Sequence, residues 1–166
     1  MSTDIFPAGI TSPGNNTWIW TDTLPTTLAN LTAGTDLSCY FPAGEIEIGF
    51  DQARDDDTRG CDEATRESFG AITYTRDELV HIVNPQGAGT EPGNMAAGAV
   101  EANAVGYISL RMGIKHGTAP TAEHLWDIYM VTTGAEHITP LQAGKYVRRV
   151  KTSWTRVKRG VKLTSP

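Results

Sequence analysis

The 166-residue sequence predicts a mainly β chain, a two-sheet β-sandwich or barrel with one flanking α-helix. Three observations lead there. Seventeen glycines and nine prolines, with many threonines, favour turns and strands over long helices. Short runs of β-branched and aromatic residues recur between turn residues. Only one segment has the composition of a useful helix. The length suits a single domain, and 39% apolar content is low for a globular chain yet too high for a disordered one.

Residues 1–16 read as a flexible arm rich in Gly, Pro, Ser and Thr, and residues 17–166 as one β domain. The arm lacks a basic region followed by an apolar one, so no secretory signal is expected. No apolar run reaches the roughly 18 residues of a membrane span. "TWIWT" (17–21) alternates aromatic, Ile and Thr residues as a strand does. "LPTTLANLTAG" (24–34) predicts one helical turn ending near Gly34. "DLSCYF" (36–41) and "EIEIGF" (45–50) read as strands around a Pro-Ala-Gly turn. Residues 51–70, with seven acids and three arginines, show no periodicity and read as a long connection. "SFGAITYT" (68–75) and "ELVHIV" (78–83) are the next strands, and "NPQGAGTEPGN" (84–94) is loop. "MAAGAVEANA" (95–104) is the helix, started by Pro92 and Asn94 and weakened by Gly98. "GYISLRMG" (106–113), "LWDIYMVTTG" (125–134), "KYVRRVKTSW" (145–154) and "RVKRGVKLT" (156–164) complete the strands.

Charge is segregated along the chain. Nineteen acids and six basic residues before position 141 give a net −13, and eight basic residues without an acid after it give +8. Such a chain can attract a copy of itself head to tail. The basic end interleaves aromatic and cationic residues as single-strand nucleic-acid platforms do, but it also alternates as an amphipathic strand, and the whole chain is acidic.

Motifs for catalysis and metal binding do not assemble. Read as a calcium loop from Asp55, the acidic stretch places Arg59 and Arg66 at ligand positions, and arginine cannot ligate calcium. Glu45 and Glu47 alternate with Ile46 and Ile48 and read as the wet side of a strand, not a tuned dyad. The four histidines have no ligand spacing, and Cys39 and Cys61 form no C-x-x-C pair, so both cysteines read as half-buried small apolar residues. There is no nucleophile elbow, phosphate loop or dinucleotide fingerprint. No catalytic residue, metal or cofactor is expected.

The order of segments resembles the major tail tube proteins of long-tailed, siphovirus-type phages, especially those of actinobacteria. The resembling residues run from "LPTTLANLTAGTDLSCYF" through "DDDTRGCDEATRESFG" and "ITYTRDELVHIVNPQG" to the Ala-rich helix, "VGYISLRMG", "DIYMVTTG" and the closing strands. Gly106, Arg111 and Gly113 match the family's glycine-strand-arginine-glycine pattern. The resemblance implies a virion structural protein of tail-tube fold and no enzyme. Six copies would form a ring, and rings would stack around a tape-measure protein. The resulting hollow tube would be joined to tail-end proteins and conduct double-stranded DNA without sequence-specific binding. Assembly would take place in the host cytoplasm. The competing readings are a bacterial secretion-system tube protein and a monomeric carbohydrate-binding β-sandwich. The latter would use Trp18, Trp20, Trp126 or Trp154 as exposed platforms.

On this reading Glu45 and Glu47 face the channel, because an acidic wall lets DNA slide where a basic one would hold it. Arg54, Asp55, Asp56, Asp57 and Arg59 are expected at an inter-subunit contact, since loops beyond about 12–15 residues in a compact domain are usually functional or disordered and the resemblance implies a long loop that reaches the next ring. Arg148, Arg149 and Lys151 are expected to supply the opposite charge at subunit contacts.

Overall fold

The computed structural model describes residues 14–42, 48–56, 67–140 and 144–165. Eight strands and two short helices follow one another in the order β1 (Asn16–Thr21), α1 (Leu28–Thr32), β2 (Thr35–Asp36), β3 (Phe50–Asp56), β4 (Glu67–Tyr74), β5 (Glu78–Val83), α2 (Met95–Ala99), β6 (Val105–Met112), β7 (Leu125–Pro140) and β8 (Tyr146–Lys162). Six strands form one curled half-barrel sheet in the order β2-β1-β6-β7-β8-β5, with neighbours antiparallel throughout. β3 and β4 pair separately as a two-stranded sheet. The fold is mainly β, as the composition requires.

Alternation along the central strands buries both faces of the large sheet. On one face Trp18, Trp20, Ile108, Leu110, Tyr129, Val131, Val150 and Trp154 pack with Leu37, Phe41, Leu79 and the α2 residues Ala96 and Val100. On the other, Ile19, Trp126 and Ile128 pack with Leu31 of α1 and Leu163. α1 is fixed over that face by its cap and by its neighbour at the chain end. Thr27 accepts the Asn30 amide at 3.2 Å, and the Leu28 amide donates to the Thr164 carbonyl at 3.0 Å. Gly106 is required by this packing, because any Cβ there would overlap the Trp20 indole.

Five elements differ from the sequence reading. Residues 36–41 are not a strand: β2 stops at Asp36, whose Oδ1 accepts the Ser38 amide at 2.9 Å, while Ser38 Oγ accepts the Trp18 amide at 2.8 Å. Short polar side chains here compete with ladder bonds and turn the chain. Cys39 in this turn is exposed rather than half-buried. The charged stretch is not simply a connection, since β3 runs to Asp56 and β4 starts at Glu67. α2 ends at Ala99, well short of residue 104, and Asn103 follows with φ 57°. The two closing strands are one, Tyr146–Lys162, paired with β7 along most of its length and with β5 near its start. β7 in turn extends past residue 134 to Pro140, and register shifts along the β7–β8 ladder absorb the mismatch.

Candidate functional site

Two surface features and two buried groups have the chemistry to matter, and neither surface feature is a catalytic cleft. The first is the β3–β4 hairpin. Its base is held by aromatic contacts: the Tyr74 ring lies 5.7 Å edge-on from Tyr129, which lies 5.9 Å from Trp154, and the Arg156 guanidinium stands 5.8 Å from the Tyr74 ring. At and beyond that base, large apolar side chains face water: Phe50, paired with Tyr74, and Phe69 are each 66% exposed and Ile72 is 43% exposed. Arg54 lies over the Phe69 ring at 5.7 Å. The backbone of Asp55 and Asp56 belongs to β3. Asp57 and Arg59 lie outside the described residues, as do Glu45, Glu47 and Cys61.

The second is the basic start of β8, where all three cations expected at a subunit contact have partners within the chain. Arg148 pairs with Glu136 and donates to the Ala97 carbonyl of α2 at 2.6 Å. Arg149 reaches Glu78 at 3.3 Å, and Lys151 reaches Glu78 at 2.7 Å and Asp77 at 3.9 Å. The Lys151 hydrogen bond holds the Glu78 carboxyl below its ordinary range; partial burial opposes this and Arg149 adds to it. These pairs tie β8 to β5, β7 and α2, so part of the positive charge at the end of the sequence is matched locally.

The two buried groups escaped the sequence reading as contributors to structure. Arg111 of β6 is only 1% exposed; its two terminal nitrogens bond His124 Nδ1 at 2.9 Å, Thr17 Oγ1 at 3.0 Å and the Thr118 carbonyl at 2.8 Å, while its buried Nε has no hydrogen-bond partner. Its guanidinium also lies 5.3 Å from the Trp126 ring. It thereby closes the 113–124 connection onto β1 and β6. His81 of β5 is 1% exposed, and neither ring nitrogen has a hydrogen-bond partner. Burial first, and the Arg148 charge second, push its pKa down to about 4, so the ring is neutral near pH 7. A lone His or Arg inside a strand pattern carries no sequence signal for such burial. Only the family pattern around Arg111 marked that position.

Among the described residues no three His, Cys, Asp or Glu side chains are grouped to hold a metal ion, and no helix is long and apolar enough to cross a membrane. Trp18, Trp20, Trp126 and Trp154 are all buried, so none offers the exposed sugar platform of the carbohydrate-binding alternative.

A family model described as phage tail tube protein matches residues 4–156. No curated protein sequence matches the chain. The family match takes in the six-stranded sheet up to Arg156 and the whole β3–β4 hairpin. The chain therefore belongs to the phage tail tube protein family, a structural component of the virion tail.

Proposed function

We propose that copies of this chain join as hexameric rings that stack into the hollow tail tube of a siphovirus-type phage. Double-stranded DNA passes through that tube during infection. Family membership over residues 4–156 carries the reading. It also points away from catalysis. The tube forms in the host cytoplasm around a tape-measure protein and is closed by tail-end proteins.

The charge division supports self-association, with −13 before residue 141 and +8 after it. The hairpin residues Arg54, Asp55, Asp56, Asp57 and Arg59 then meet a neighbouring subunit. Arg148, Arg149 and Lys151 lie close to that junction, the last two also bracing β5 against β8. Single surface pairs contribute about 0–1 kcal/mol, but a ring repeats each of them. Glu45 and Glu47 line the channel and keep its wall acidic, which favours sliding over binding of DNA.

Negative-stain microscopy of the purified protein tests the reading. Rings or hollow tubes are expected, shortening as salt rises above physiological strength, where the Debye length is roughly 8 Å. Uniform small particles at every concentration and salt would overturn it.

A further inference from the structure

Among the described residues, the molecule carries an exposed apolar projection and an open apolar trough. The projection is the β3–β4 hairpin with Phe50 and Phe69. The trough lies where β5 ends and β8 begins, lined by Ile82, Val83, Pro85, Ile138, Lys145 and Tyr146. Ile138 is 46% exposed and Tyr146 51% exposed, so the chain's own hairpin does not fill it. Burying apolar surface of this kind is the main driving force for association.

We propose that this trough is the receptor for the hairpin of a second copy, with Phe69 and its neighbours seated against Ile138 and Tyr146. The inference rests on the tube reading and names the surface that reading leaves open. Charge selects this trough over a second groove among the described residues. The two hairpin strands hold the acids Asp51, Asp55, Asp56 and Glu67 against the single Arg54. The trough contributes one charge, the cation Lys145. The groove between α2 and the start of β6 is also partly apolar, with Met95 and Val105, but its charged residues are Asp22 and Glu101. An acidic hairpin is repelled by that pair and attracted by Lys145.

Position also favours a repeating contact. The hairpin enters β5 through residues 75–77, and the trough lies at the opposite end of that strand. Six residues of strand separate the two by ~17 Å at roughly 3.4 Å per residue. Projection and receptor are different surfaces of one chain, so copies joined head to tail repeat the contact from copy to copy.

The test is photo-crosslinking in assembled protein with benzoylphenylalanine in place of Phe69, using mixed isotopically labelled and unlabelled copies. Crosslinked peptides joining position 69 of one copy to Ile138 or Tyr146 of another are expected. Crosslinks to the α2 groove around Met95 and Val105, or only within one copy, overturn the assignment while leaving the tube reading intact. Absence of both polymer and crosslink overturns the tube reading and the receptor with it. As a second measurement, Ile138→Glu and Phe69→Glu are each expected to fold normally and to lower polymer yield at least tenfold. Undiminished tubes from either variant refute the contact.

Discussion

The large sheet and the β3–β4 hairpin are built from the same kind of secondary structure, yet they stand at opposite ends of the burial scale. In the sheet, β6 and β7 bury side chains on both faces, and even an arginine and a histidine are enclosed. The hairpin, with a register shift between Gln52 and Arg54, leaves two phenylalanines mostly in water. Strand pairing alone is therefore not what fixes this molecule. The sheet is held by two-sided packing, and the hairpin by the aromatic contacts at its base. Substitution in the first region is expected to cost stability, and in the second, on the contact proposed above, association.

The largest contrast comes from deleting one aromatic in each region. Trp126 is fully buried beneath Arg111, and Trp126→Ala is expected to lower unfolding free energy by about 3–5 kcal/mol in urea titrations. A loss below about 1 kcal/mol would mean that this face of the sheet is far looser than its packing implies.

Acid gives the next contrast, confined to the sheet. His81 has its folded-state pKa depressed to about 4 from an ordinary 6.5, so the unfolded chain binds more protons between those values. Its contribution is complete above pH 6.5 and falls away as pH drops through about 4. The loss amounts to roughly 3 kcal/mol, at about 1.4 kcal/mol per pH unit. Replacing His81 with Leu should flatten this part of the stability profile. An unchanged slope between pH 6.5 and 4 would assign the acid sensitivity to other groups.

A smaller effect is expected at Gly106, where an added methyl must displace the Trp20 ring. Gly106→Ala should destabilise by about 1–3 kcal/mol, read as a lower Tm. In the hairpin, Phe69→Ala should change monomer stability by no more than about 0.5 kcal/mol, as exposed sites do. A large loss there would erase the distinction between the two regions.

The legible parts of the fold are those where alternation meets burial. "ELVHIV" and "GYISLRM" announce strands because short apolar, β-branched runs between polar turns must go inside. β3 escaped notice because it is largely solvated, and wet strands leave no hydrophobic period to read. The opposite error occurred at "DLSCYF", where β-favouring residues suggested a strand and Asp36 and Ser38 turned the chain through side-chain bonds. Thr155 looked like a break between two closing strands, yet it pairs with Met130 in mid-ladder. Arg148, Arg149 and Lys151 were legible as a basic cluster, but not as the partners of Glu136, Glu78 and Asp77, because pairs so distant in sequence exist only once the sheet is assembled.

β8 runs unbroken for 17 residues, which at about 3.3 Å each is ~55 Å of extended chain gripped by β7 and β5. Antiparallel hydrogen bonds lie perpendicular to their strands. A pull along β8 therefore strains its ladder in shear, so that many bonds share the load and must yield together. A pull across the strand would open them singly, from one end. The long ladder thus makes the subunit mechanically anisotropic, stiff along one direction and peelable along the other.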